Sequence, residues 1–369
     1  MKGIYIHIPF CKKKCNYCHF VSKTDLTSMD EYIDALLSEI LLYKDEMDDI
    51  KTIYIGGGTP SLLSCEMVEK IVDNLNLHEV EEFTIEVNPE SVTTDKLLCY
   101  KKSGINRISM GVQTTNESQL KTLGRLHSFN DVKEKYQIIR DAGFDNINLD
   151  LIYALPGQKT EDLLNDIKEF SILNPKHIST YSLMYEEGTV LDRMKESGEI
   201  KPVSDETDRE YFHIIESELK KNGYHRYEIS NFSKEGYESK HNLLYWSADE
   251  YIGLGLSAHG YLGGERYANE SVMEEYLKKI KKGERPVSDV EKIGFDEEKF
   301  EYIMLNLRKT EGFSIEEFKE RFDVDFLVEY KIEIEKMIEY GALVVEMGRV
   351  HLTDYGFDVS NKVYGEFLR

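Results

Sequence analysis

The residues best suited to chemistry stand near the start of the chain. In YIHIPFCKKKCNYCHF, residues 5 to 20, Cys11, Cys15 and Cys18 fall within eight positions, directly behind an alternating apolar run. Thiolates are soft ligands suited to zinc or iron–sulfur sites, and this spacing gathers three of them on one short loop. Three is the informative number. A four-iron cube held by three cysteines leaves one iron without a protein ligand, open to an outside chelate, much as a catalytic metal site stays open where a structural one is closed. A structural zinc completed by His7 or His19 is the competing reading of the same spacing. An odd count of 5 cysteines with three bunched fits a metal site in a reducing compartment better than a disulfide framework, which leaves Cys65 and Cys99 as free thiols.

Something must position those thiols, and the chain supplies a repeating unit. Six β-rich runs follow one another: GIYIHI (3–8), TIYIGG (52–57), FTIEVN (83–88), RISMGV (107–112), INLDLIY (147–153) and HISTYSL (177–183). Between them lie apolar-periodic segments such as MDEYIDALLSEILLYKDEM and EDLLNDIKEFSIL, long enough for the crossovers that parallel strands require. A repeated β-α unit makes a parallel sheet with right-handed crossovers, either doubly wound or a full or partial barrel. In each, ligands sit beyond the C-terminal strand ends. The unusual residues are kept there: the cysteines after the first run, GGGTPS after the second, EVNPE at the third, GVQ at the fourth and DLIYALPG at the fifth. That placement argues against a structural zinc, which has no need of the ligand-binding end of a sheet.

Length and composition set the frame. A chain of 369 residues suggests two or three domains. The β-α alternation spans 1–184. A middle α+β region of weaker periodicity covers 185–290, and residues 291–369 carry three helical patterns followed by ALVVEMGRVHLT, which alternates like a hairpin around Gly348. Three helices and a β-wing predict a winged-helix-like domain. Its acidic side chains outnumber its basic ones, the wrong sign for a DNA reader, so packing or partner docking is the expected role. The whole chain has a net charge of −23, which also excludes nucleic acid as the main partner. No apolar run reaches the ~18 residues of a membrane span, and MKGIYIHIPF lacks the features of a signal peptide. The chain reads as cytoplasmic, with peripheral membrane contact left open.

The cysteine spacing, Tyr17 before the third cysteine, and GGGTPS after the second strand resemble the radical S-adenosylmethionine (SAM) superfamily, whose fold is a partial six-unit β/α barrel. YIHIPFC, IGGGTPS, RISMGVQ, LGRLHS and LDLIYALPGQ are similar, in order and spacing, to the group of oxygen-independent coproporphyrinogen III dehydrogenases and their HemW-like heme-chaperone relatives. The resemblance implies a 4Fe–4S cluster on Cys11, Cys15 and Cys18, SAM chelating the open iron, and one-electron cleavage to a 5′-deoxyadenosyl radical. It places Gly57, Gly58 and Thr59 against the methionine part of SAM and gives Glu86 the ammonium or ribose hydroxyls. Gln113, Arg125 and Asp150 match the other polar SAM contacts, and Tyr5 matches a contact near the cluster. An electron donor such as flavodoxin or ferredoxin is implied as well.

Departures from the dehydrogenase pattern bear on function. Phe20 stands where those enzymes usually have a fourth cysteine, and the extension they carry ahead of the first strand is missing. In KHNLLYW, His241, Asn242, Tyr245 and Trp246 spell the H-N-x-x-Y-W pattern of the heme-chaperone branch. On a helix His241 and Tyr245 share a face. Imidazole is a good axial ligand for heme iron, and flat aromatic side chains suit a porphyrin. His241 is therefore the expected heme ligand, with His259 in GLSAHG the second candidate. Two functions remain: a heme chaperone that hands heme to acceptors such as respiratory enzymes, which is favoured, and a dehydrogenase converting two propionates of coproporphyrinogen III to vinyl groups.

Overall fold

All six β-rich runs are strands, and their alternation sorts side chains between two faces. In the computed structural model, which describes residues 1–75 and 78–368, β1 (Lys2–Ile8), β2 (Ile50–Gly57), β3 (Glu82–Val87), β4 (Arg107–Gln113), β5 (Asn146–Tyr153) and β6 (His177–Ser182) pair in parallel, in chain order. Ile53 and Ile55 on β2, Phe83 and Ile85 on β3, and Ile108 and Met110 on β4 are buried beneath the crossover helices. The intervening positions, Tyr54, Glu86, Ser109, Asp150 and Ser179, face inward and line one cavity. This polar inner face is what distinguishes the sheet from a barrel packed solid with branched aliphatic side chains.

The helices that carry the outer layer start on local signals. Ser64, Thr93 and Ser128 each accept a backbone N–H in the first turn of the helices Cys65–Asn74, Thr94–Lys102 and Phe129–Asp141, and Asp131 completes a capping box at the last.

Residues 185–290, the middle α+β region, add their strands to the same sheet. β7 (His225–Arg226) pairs antiparallel with β8 (Asn231–Ser233), which in turn pairs antiparallel with β6. At the other edge β9 (Glu250–Leu254) pairs parallel with β1, and β10 (His259–Leu262), β11 (Glu265–Asn269) and β12 (Val287–Lys292) continue outward. The result is one 12-stranded sheet. A partial barrel leaves two edges of unpaired backbone groups, and these short strands cover both. Ile252, Leu254 and Tyr276 accordingly belong to the core of the barrel itself.

A second core holds the C-terminal domain, where Tyr302 meets Phe318, and Phe326 meets Phe313 and Phe318, edge-on, with Phe322 tilted on Phe318. Helices Phe295–Asn306, Ile315–Phe322 and Lys331–Glu339 pack with a sheet of β13 (Phe313–Ser314), β14 (Leu343–Glu346) and β15 (Arg349–Leu352), the winged-helix-like pattern expected. Met347 and Gly348, both at positive φ, turn the wing. No helix among the described residues is long and apolar enough to cross a membrane.

Candidate metal and cofactor site

Beyond β1 the cysteine loop folds back on itself. Cys11 N donates to Lys23 O (2.9 Å) and Lys23 N to Pro9 O (2.7 Å), which closes the base of the loop. Asn16 ties its tip to the helix Glu117–Leu123, its backbone N to Leu123 O (2.9 Å) and its Nδ2 to Thr122 O (2.8 Å). The loop is thereby held against the glycine turn after β2. Gly58 N donates to Ile8 O (2.8 Å), and a Cβ on Gly58 would lie 2.7 Å from Phe10 O, so glycine is required for this approach.

Thr59 Oγ1 lies 3.6 Å from the sulfur of buried Cys11, and Arg125 Nη1 lies 3.5 Å from that of Cys15. Burial pushes the Cys11 and Cys18 thiols up, so ligation must release their protons. Among the described residues no three Cys, His, Asp or Glu side chains stand close enough to hold one ion. Zinc, with bonds to sulfur of ~2.3 Å, would need thiolates about 4 Å apart. His7, one of the two side chains available to complete such a site, is buried with Nδ1 at 3.0 Å from Tyr5 OH and Nε2 at 3.1 Å from Val21 O. A cubane cluster takes its thiolates on separate corners, one from each of the three cysteines.

The loop borders a cavity of about 460 Å³ on the inner face of the sheet. Gly57, Gly58, Thr59, Glu86, Gln113, Arg125 and Asp150 all line it with the three cysteines, supplied by the ends of β1 to β5 and the loops beyond them. Glu86 accepts from Tyr54 OH (2.8 Å) and Gly57 N (3.1 Å), and its desolvation, opposed by those bonds and reinforced by Asp150, pushes its carboxyl up to about 7. Asp150 accepts from Asn148 Nδ2 (2.7 Å), and burial raises it too. Two carboxylates disfavoured as anions in one cavity suit a cationic guest. Gln113 sits at φ 77 where a bulge ends the pairing of β4 with β5, a backbone strain of the kind stored at functional sites.

Tyr5 is not brought to this cavity. Tyr54, one strand further in, stacks on it at 6.3 Å and stands between, so Tyr5 faces a second cavity instead.

The H-N-x-x-Y-W segment is the helix Lys240–Trp246, and it lies against the interior of the sheet. Its N-terminus is held by Glu82 of β3, which accepts from Ser239 Oγ (3.1 Å), Lys240 N (3.0 Å) and His241 N (3.1 Å). Gly3 of β1 admits it, since a Cβ there would lie 3.0 Å from Leu244 Cδ1 and 2.7 Å from Thr52 Oγ1. His241 is 1% exposed, with Nδ1 at 2.8 Å from Thr52 Oγ1, Nε2 at 2.8 Å from Tyr245 OH and its ring stacked on Tyr54. Burial lowers it to about 3, so the ring is neutral. Both nitrogens have hydrogen-bond partners within the barrel: the spacing put His241 and Tyr245 on one face of the helix, and that face is the one that docks. Asn242 lines the cysteine cavity, while Tyr245, Trp246 and His259 line the second one.

Residues 5–170 match the radical SAM superfamily, and residues 296–359 match the HemN C-terminal domain. Heme chaperone HemW of Lactococcus lactis subsp. lactis (strain IL1403) is 40% identical over 372 residues, covering 99% of this chain and 96% of its own. The chain belongs to the HemW family of the radical SAM superfamily. Heme chaperone HemW of Bacillus subtilis (strain 168) is 38% identical over 377 residues, covering 100% of this chain and 99% of its own. Coproporphyrinogen III oxidase (HemN) from Escherichia coli, a radical SAM enzyme, shares the fold: TM-score 0.85 at 20% identity, covering 100% of this chain and 90% of that one.

Two contributors to this HemW-family cavity escape motif reading. Asn88 joins its halves, Nδ2 donating to Thr59 Oγ1 (3.0 Å) while Oδ1 accepts from Arg125 Nη2 (2.6 Å). Tyr54 orients Glu86. Asn88 was visible as the strand-end residue of EVNPE, and Tyr54 by parity, two residues ahead of the glycine run on an inward-facing position.

Proposed function

We propose that the protein is a cytoplasmic heme chaperone that carries a 4Fe–4S cluster on Cys11, Cys15 and Cys18 with SAM as an exchangeable ligand. It hands heme to acceptor proteins such as respiratory enzymes. The observation that carries this reading is near end-to-end likeness to named heme chaperones, with 96% to 99% of their lengths covered. When bound, the cluster and SAM supply one-electron chemistry at the sulfonium. Gly57, Gly58 and Thr59 admit the methionine part; Glu86, Gln113, Arg125 and Asp150 supply charge and hydrogen bonds around the remainder. Lys12, Lys13 and Lys14 form an exposed basic patch on the cysteine loop of a chain with net charge −23, which suits an acidic electron donor such as flavodoxin or ferredoxin.

The coproporphyrinogen dehydrogenase reading draws on the shared fold with HemN, and Phe20, 55% exposed on the rim where a fourth cysteine would stand, speaks against it. Reconstituted protein is tested in parallel for heme uptake, heme transfer to an apo-acceptor, and conversion of coproporphyrinogen III with SAM and reductant. Saturable uptake and transfer with the tetrapyrrole returned unchanged is the expected result. Catalytic formation of protoporphyrinogen IX would reverse the assignment.

The SAM roles carry a pH signature. Glu86 is pushed up to about 7, so it is mostly neutral at pH 6 and ionised at pH 8, and only the anion attracts an ammonium or sulfonium. SAM affinity in the reconstituted protein should therefore rise across that range. Glu86→Gln should flatten the rise, and Glu86→Ala or Asp150→Ala should weaken binding by roughly 1.5 to 3 kcal/mol, a charged hydrogen bond. Equilibrium dialysis at three pH values decides it; a flat wild-type profile with unchanged affinity in both alanine variants would remove the assignment.

A further inference from the structure

A second cavity, of about 680 Å³, lies between the cysteine loop, the β9–β10 region and the C-terminal helix Phe295–Asn306. Phe20, Tyr245, Trp246, Tyr251 and Tyr261 give it aromatic walls, with Tyr245 and Tyr251 locked edge-on at 4.6 Å. His19 and Phe20 line both cavities, so the cysteine loop forms their shared wall.

Iron requires an imidazole nitrogen with a free lone pair, and this narrows the 10 histidines sharply. His7, His127, His177 and His241 are buried and hydrogen-bonded. His213, His225 and His351 face the carboxylates of Asp358, Glu238 and Glu346. Among the described residues three rings remain without such a partner: His19, His78 and His259. His78 precedes β3, at the opposite end of the strands from the cysteine loop. His19 and His259 are both exposed and line the second cavity together.

We propose that this second cavity is the heme site, with His259 as an axial ligand and His19 as the second imidazole. The proposal rests on the heme-chaperone reading and adds a location to it. The aromatic walls take the faces of the macrocycle. Asp249, Glu298 and Glu301 at the cavity are paired with the N-terminal amine, Arg321 and Arg266, so the cation that lines it is already engaged and the heme propionates point outward to solvent. A site that holds the macrocycle without anchoring its propionates suits a carrier that must release it. Because His19 follows the cluster ligand Cys18 directly, ordering of that loop by the cluster also sets the position of the second imidazole.

The experiment is a hemin titration of the full-length, anaerobically reconstituted protein, followed by Soret absorbance and electron paramagnetic resonance. Wild type should bind about one heme per chain as a six-coordinate, low-spin species. His19→Ala should give a high-spin, five-coordinate spectrum. His259→Ala should change the spectrum and weaken binding about tenfold or more, and the double variant should lose ligation altogether. Both residues are exposed, so the variants test ligation without threatening the fold. Heme binding with a wild-type spectrum in both single variants would overturn the site while leaving the chaperone reading intact. Loss of ligation in His241→Gln, with His19→Ala and His259→Ala unaffected, would move the heme into the barrel and overturn it too. Absence of heme binding by wild type would remove both readings.

Discussion

Alanine at Cys11, Cys15 or Cys18 is expected to take the reconstituted protein from about four irons and four sulfides per chain to near none, with loss of the broad visible absorbance of a cubane. The effect is all-or-none because three thiols are the protein's whole share of the ligands. His7 is tied to Tyr5 and Val21, and Cys65 and Cys99 lie apart, Cys65 bonding to Asp95 O and Cys99 to Cys65 O, so none of these three substitutes. Cys65→Ala and Cys99→Ala should retain the full iron content. Iron lost from either of them, or zinc without sulfide in the wild type, would show that the ligand set has been misread. The fold should survive in all three cluster variants, because the loop is anchored by backbone bonds from Cys11, Asn16 and Lys23 that alanine preserves.

Glu82→Ala should produce the largest loss of stability among single substitutions of charged residues. The carboxylate is 4% exposed, and it receives three hydrogen bonds from the start of the helix Lys240–Trp246 and faces Arg107 Nε at 4.0 Å. Its removal strands a guanidinium that is 2% exposed, whose remaining side-chain bond is to Thr84 at 3.4 Å, and uncaps a helix inside the barrel. Removing one partner of a buried charge pair costs about 3 to 5 kcal/mol. Urea unfolding should show it as a lower midpoint, whereas Glu275→Ala, which breaks the exposed pair with Lys278, should cost less than about 0.5 kcal/mol and leave the midpoint nearly unchanged. Equal midpoints for the two variants would mean that Glu82 is not the anchor of that helix. Heme binding should weaken with Glu82→Ala as well, since Tyr245 and Trp246 ride on the helix it holds.

The separation of local from long-range information follows the same anchor. The six parallel strands and the convergence of the cysteine loop, GGGT, Glu86, Gln113 and Asp150 on one cavity were legible because their signals are short: alternation sorts the two faces, and a parallel repeat brings every strand end to the same side. Convergence on one cavity then needs no knowledge of contacts. The i,i+4 spacing of His241 and Tyr245 was equally legible, and the two do bond at 2.8 Å.

What spacing does not carry is where a short helix docks. His241 becomes a buried, doubly bonded ring because Glu82 and Thr52, nearly 160 and 190 residues earlier, meet it in space. Tyr5 is turned to the second cavity by the ring of Tyr54, and residues 185–290 join the barrel sheet because β1 and β6 present open edges that only the assembled barrel has. The sequence by itself determined the chemistry of the first loop and the repeat that positions it, because both are encoded within a few residues. The tertiary structure alone decided which histidines keep a free lone pair, since that depends on partners supplied by distant strands.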